Sequence, residues 1–129
     1  MHDSISDFLN RLKLANRAGK ESFLFPASRL IAAIASALVK GGYAQSFGRK
    51  GKKGRFIEVV LSYKEKGVPK VSGVRRISRL SRRVYRGARE VRPVRHGFGM
   101  AVLTTPKGVI SDTEARVSHV GGEALFEIW

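Results

Sequence analysis

Thr104, Thr105, Pro106, Lys107 and Gly108 stand in a row near the C-terminal end of the chain. Each threonine hydroxyl both donates and accepts hydrogen bonds, and the Lys107 ammonium carries three donors. On a tight turn, that set matches phosphate oxygens, sugar hydroxyls and base edges. Apolar runs flank it, Met100-Ala101-Val102-Leu103 before and Val109-Ile110 after, so the turn reads as the tip of a rigid strand pair.

A second group lies just upstream. Between Arg75 and Arg95 there are nine arginines, one acid, Glu90, and a single tyrosine, Tyr85. Guanidinium forks match phosphate oxygens, and a tyrosine ring stacks on an unpaired base. Gly121-Gly122-Glu123 forms a third polar corner. Loops, stacking aromatics and contacts to the 2′-hydroxyl are the vocabulary of RNA recognition. Duplex DNA is the weaker reading, because neither amphipathic helix carries a base-reading polar face.

The residue types for catalysis are present in Thr104, Thr105, Asp112, His119 and Glu123, but their spacing matches no nucleophile–base motif. Thr105 is better explained as a turn hydroxyl, Asp112 as a favourable charge at a helix start and His119 as a turn residue. His2, His96 and His119 are too scattered for a metal site, and a lone Gly-Gly is too short for a phosphate cradle. The sequence therefore reads as a non-enzyme with no cofactor, no metal and no small-molecule substrate.

Ordinary elements must position these groups. Residues 4–18 pattern as a helix, with Ile5, Phe8, Leu9, Leu12 and Ala15 on one face, Ser4 as N-cap and Gly19 as the stop. Lys13 and Arg17 read as its solvated face. Glu21 to Phe25 alternates as a half-buried strand. Ser28 caps a second helix running to about Lys40, with Gly41-Gly42 as its stop. Tyr43 to Phe47 and Phe56 to Tyr63 read as strands around the basic, glycine-rich loop 48–55, expected to order only on a partner. Lys64 to Gly67 turns the chain into a loose third strand, Val71 to Ile77.

Beyond that, a short helical turn is expected near 88–91. Ser111 and Glu114 make a capping box for a brief helix ending near Ser118. Gly121-Gly122 turns into a last strand, Glu123 to Trp129, with Ala124, Phe126 and Ile128 on one face. The fold class is α+β, in two small lobes. An N-terminal α-β-α-β-β-β lobe covers residues 1–78, and a mostly β lobe with one short helix covers residues 79–129.

Global numbers agree. The chain has 129 residues, 43% of them hydrophobic, which suits a folded domain or two small lobes. It has no cysteine, which excludes a disulfide framework and thiolate zinc, and fits a reducing compartment. No apolar run approaches the roughly 20 residues that cross a bilayer, and the N-terminal pattern is not a secretory signal. The net charge is +15, which self-repels in a compact state and asks for a polyanion. Nucleic acid is favoured over an anionic membrane surface, because neutralising phosphates releases counterions.

These residues carry a resemblance. Gly99, Val102-Leu103-Thr104-Thr105, Gly108-Val109-Ile110 and Ala115-Arg116 resemble the signature of the bacterial ribosomal protein S-eight family of the small subunit. The closing GGEALFEIW, the Arg83-Val84-Tyr85 triplet, the first helix and the Pro26-Ala27-Ser28-Arg29 entry to the second resemble it too. The match keeps the family's order along essentially the whole chain.

The resemblance implies a cytoplasmic, ribosome-bound protein that binds the central domain of small-subunit RNA and helps assemble its platform. Ribosomal proteins five and twelve would be its neighbours. It also implies an alternative role, repression of translation through the protein's own operon messenger RNA. Carried over residue by residue, the expected RNA contacts fall on Tyr85, Thr104, Thr105, Lys107, Gly122 and Glu123, with Arg83 and Arg29 completing the set. Two positions depart from the family pattern. Pro106 replaces a serine in the hydroxyl turn and removes both a hydroxyl and a backbone N–H, which implies one RNA hydrogen bond fewer. Ser78-Arg79-Leu80-Ser81 replaces Ser-Arg-Pro-Gly, which implies a looser connection between lobes, offset by added arginines.

Overall fold

The structure, a computed structural model, describes residues 3–129. The chain divides into two compact units, one ending at Ser72 and the other running from Gly73 to Trp129. Mixed helices and strands fill the first, and the second is mostly strand with one helix.

In the first unit, helix α1 (Ser4–Arg17) leads to strand β1 (Ser22–Pro26), and helix α2 (Arg29–Lys40) leads to β2 (Ala44–Lys50) and β3 (Phe56–Leu61). The strands form an antiparallel sheet in the order β1-β3-β2. Spacing decides what is buried. Phe8 and Leu12 of α1, Ile34 and Leu38 of α2, and Ile57 and Val59 of β3 are all fully buried. The Phe8 ring sits 5.5 Å from Phe23 and 5.3 Å, edge-on, from Phe25. β1 alternates as its sequence predicts, with Phe23 and Phe25 inward. Two short strands, β4 (Tyr63–Glu65) and β5 (Val68–Pro69), add a separate ribbon.

Local chemistry sets the ends. Asp3, not Ser4, caps α1: it accepts from the Ser6 N–H at 3.2 Å, and Ser4 is already the first helical residue. Ser28 caps α2 as expected, accepting from the Ile31 N–H at 3.1 Å. Lys13 is half-buried, Arg17 is exposed, and Arg11 is engaged: its guanidinium donates to the Leu24 carbonyl at 2.9 Å and lies 5.3 Å from the Phe25 ring centre. Buried Asn16 donates to the Ser62 carbonyl and accepts from the Val71 N–H, so both ends of its amide are satisfied.

The second unit holds β6 (Val74–Arg76), β7 (Tyr85–Arg86), β8 (Met100–Thr105), β9 (Gly108–Ser111), helix α3 (Asp112–Ser118) and β10 (Gly122–Ile128). Its sheet runs β6-β10-β8-β9, with β7 beside the other half of the β10 edge that β6 uses. The strand expected over Val71 to Ile77 as the third of the first lobe thus belongs here. Val74, Arg75 and Arg76 pair with Ile128, Glu127 and Phe126. The division between units accordingly falls at Ser72/Gly73, not between 78 and 79. The cause is non-local: β6 takes its pairing from the last strand of the chain.

Val91, Val94, Ala101, Leu103, Ala115 and Ala124 make the core of this unit, with Ile77, Ile110 and Val120 packed against it. The last strand does not alternate as its sequence suggests. A register shift between Ala124 and Phe126 pairs Ala124 with Leu103 but Phe126 with Val102. Leu103 and Val102 point to opposite faces, so Ala124 and Phe126 do as well, and a bulge at Leu125 absorbs the extra residue. The helical turn expected at 88–91 is a hydrogen-bonded turn closed by Glu90 N–H to the Gly87 carbonyl, and the Glu90 carboxylate accepts from the Gly87 N–H.

Candidate nucleic-acid interface

Strand register builds the site. Tyr85 of β7 pairs with Glu123 of β10, and Glu123 pairs on its other side with Thr104 of β8. Directly opposed residues share a face, so Tyr85, Glu123 and Thr104 form one row across three strands. Tyr85 is 69% exposed although it lies within a sheet. An aromatic ring of that size left in water is an available stacking surface. Arg83 lies two residues before Tyr85 and donates to Glu123 Oε2 at 3.0 Å, holding the carboxylate beside the ring.

Gly122 makes this row possible. A side-chain carbon there would stand 2.0 Å from the Thr104 carbonyl oxygen, and at Gly121 one would stand 2.2 Å from the Arg86 carbonyl oxygen. Neither glycine has positive φ. The pair therefore serves close backbone approach, where the sequence alone suggests a turn.

The hydroxyl turn is a two-residue hairpin loop, with Thr105 paired to Gly108. The Pro106 ring holds φ near −65°, Lys107 is not at positive φ, and Gly108 has φ 103°. With positive φ at Gly108 and not at Lys107, the turn is not of type II, I′ or II′; type I fits, and proline is favoured at its first central position. Pro106 thus stiffens the turn. The Thr105 hydroxyl donates to the Gly108 carbonyl at 2.9 Å and accepts from the Lys107 N–H at 3.1 Å. Its proton is spent inside the turn. Thr104, half-buried in the row, and exposed Lys107 carry the outward-facing groups.

Behind the row, Ser78 is 1% exposed, and its hydroxyl accepts from the Val84 N–H at 2.8 Å and donates to the Val84 carbonyl at 3.2 Å. Arg79 and Arg82 exchange backbone hydrogen bonds at 2.9 and 3.1 Å around Leu80-Ser81. The segment expected to be a loose connection is therefore a pinned turn inside the second unit. Ser78 is the residue that pattern reading passes over. A serine in an arginine-rich stretch looks solvated, and only its burial reveals the staple. Asp112 is the second such case. It is 2% exposed, accepts from the Ala101 N–H at 3.0 Å and pairs with Arg116 at 2.6 Å. It thereby ties α3 to β8 as well as meeting the helix start.

Arg29 stands apart from this set. It opens α2 in the first unit and is exposed. His96 and His119 both sit at positive φ in turns, and His119 closes α3; His2 lies outside the described residues. Among the described residues no group of three His, Cys, Asp or Glu is placed to hold a metal ion, and no helix is long and apolar enough to cross a membrane. The loop expected to be mobile has defined geometry. Strand pairing runs out to Lys50 opposite Phe56, and Gly51, Lys53 and Gly54 take positive φ in a tight turn.

Known proteins share this sequence along its length. Residues 3–129 match the family described as Ribosomal protein S8. The protein named small ribosomal subunit protein uS8 in Erythrobacter litoralis is 39% identical over 130 residues, covering 100% of this chain and 98% of the relative. Those of Rhizorhabdus wittichii and Sphingopyxis alaskensis are 39% and 40% identical over 128 and 133 residues, each alignment covering at least 97% of both proteins. With a register that sets Tyr85, Glu123 and Thr104 in one row and a match of this length, the chain belongs to the ribosomal protein S8 family.

Proposed function

We propose that this protein is a structural constituent of the small ribosomal subunit that binds the central domain of its ribosomal RNA through the second unit and helps assemble the platform. The observation that carries the reading is the row of Tyr85, Glu123 and Thr104 beside the stiff 105–108 hairpin. Each member has a distinct task. Tyr85 stacks on an unpaired base, worth about 1–3 kcal/mol per base. Glu123 accepts only, so it selects the N–H edge of a base and turns phosphates away. Arg83 holds that carboxylate in place and adds positive charge toward phosphate oxygens. Thr104 reaches a sugar or base edge, and Lys107 a phosphate. Gly122 keeps the two strands close enough for these groups to act together. Arg29 supplies a backbone contact from the first unit.

The net charge of +15 supports the nonspecific part of the affinity. The family is structural and non-enzymatic, in line with a Thr105 hydroxyl whose proton is held by a carbonyl. On the ribosome, proteins five and twelve are the proposed neighbours.

Titration of the full chain against a fragment of the central-domain RNA helix, over a range of salt concentrations, tests the reading. Preference for the fragment over an unrelated duplex is expected at every salt, and it should fall on Tyr85→Ala. Equal affinity for both RNAs would refute it.

A further inference from the structure

The first unit carries an aromatic surface that the row in the second unit does not use. Register places Pro26, Phe56 and Lys50 in one line across β1, β3 and β2, and Leu24, Glu58 and Gly48 in the next. This is the outer face of the sheet, since Phe25 and Ile57 point inward. Phe56 is 41% exposed and Leu24 is 47% exposed. The Phe56 ring rests on Gly51, where a side-chain carbon would come within 3.2 Å of it. Gly48 leaves a notch beside the ring, with nothing within 4 Å of the position its side chain would fill.

The hairpin that carries this spot is strongly cationic. Lys50, Lys52, Lys53 and Arg55 are all on the same hairpin. Lys53 is held at φ 58°, a conformation that lysine adopts only when its surroundings impose it. Arg49 is not among the outward groups: its guanidinium braces the loop by donating to the Gly54 carbonyl at 3.2 Å. The one acid on the face, Glu58, is met by Lys50 at 3.7 Å and by the Ser22 hydroxyl at 3.1 Å.

We infer that this face is a second, separate RNA-binding surface, which takes an unpaired strand by stacking a base on Phe56 over the Gly48 notch while the hairpin cations follow its phosphates. A flat ring flanked by cations on a sheet is the arrangement single strands use. A duplex hides its base faces and gains nothing from the ring. An acidic peptide would meet the cations but would place carboxylates against the negative face of the ring. The inference uses no residue of the second unit, so it stands or falls independently of the central-domain reading.

The test uses the full-length protein and a labelled short oligouridylate. Gly48→Val fills the notch with a residue that strands favour, so the fold is kept. Phe56→Ala removes the platform. Both are expected to weaken oligouridylate binding roughly 5- to 150-fold, the range for loss of one stacked base. Gly48→Val should keep its preference for the central-domain fragment. Photo-crosslinking with 5-iodouridine should mark the tryptic peptide that begins at Phe56. Unchanged affinity in Gly48→Val, or polyglutamate competing as well as RNA while Phe56→Ala has no effect, overturns the inference. If the fragment preference fails while oligouridylate binding still responds to Gly48→Val, the central-domain reading falls and this one stands.

Discussion

Replacing Ser78 with alanine tests whether the RNA row depends on a staple that touches no RNA. The hydroxyl makes two hydrogen bonds, at 2.8 Å from the Val84 N–H and 3.2 Å to the Val84 carbonyl. The carbonyl keeps a second partner, the Ala124 N–H at 3.0 Å, so its loss is mild. The Val84 N–H has no such substitute. Two net hydrogen bonds are worth about 1 kcal/mol each, and an unsatisfied buried donor costs about 1–3 kcal/mol. Val84 is half-buried, so water recovers part of that, and the expected loss is about 2 kcal/mol. Trp129, the single tryptophan, lies in the same unit with its indole against Gly73 and the Arg95 guanidinium 3.8 Å from the ring centre. Its fluorescence therefore follows urea unfolding of this unit. With a slope of about 1–3 kcal/mol per molar, the midpoint should fall by about 1 M. The Val84 amide should lose hydrogen-exchange protection. Because Tyr85 follows Val84 directly, preference for the central-domain fragment should weaken as well. A midpoint shift below about 0.2 M with the Val84 amide still protected would show that the hydroxyl is not the staple.

The other predictions follow from the same geometry. Gly122→Ala forces a carbon against the Thr104 carbonyl, so the β8–β10 ladder must open at the row, with a loss of about 3 kcal/mol or more in a denaturation curve. Asp112→Ala leaves the buried Ala101 N–H without its acceptor and frees Arg116, and should cost about 2–3 kcal/mol by the same assay. Thr105→Val abolishes both turn hydrogen bonds while Thr105→Ser retains them, so fragment preference should fall in the first and persist in the second. Lys52→Ala should flatten the salt dependence of RNA affinity without changing the preference, as loss of one phosphate contact does.

Local signals were legible wherever neighbours in sequence are neighbours in space. Ser28 and Ser111 cap the helices their spacing announces, because a capping bond spans three residues. The Phe23 and Phe25 alternation and the apolar stripes of α1 and α2 fall inward as written, because a half-buried element must repeat its apolar residues at its own period. The hydroxyl turn was legible too, since Pro106 and Gly108 each restrict or permit φ on their own account.

What stayed hidden depends on residues far apart in the chain. Val74–Arg76 has no signal naming its partner, and it joins the second unit because β10 offers the edge. The bulge at Leu125 reverses an alternation that the sequence states plainly, because pairing with β8 decides which residue is left over.

Sequence alone determined that this chain is a basic α+β protein, with a hydroxyl turn, a tyrosine among arginines and a glycine pair at the start of the last strand. These follow from charge, period and backbone freedom, which each residue carries with it. Tertiary structure alone decided that Tyr85, Glu123 and Thr104 stand in one row, that Ser78 is a buried staple and that Thr105 turns its proton inward. Those depend on strand register and burial, which exist only once distant segments have packed.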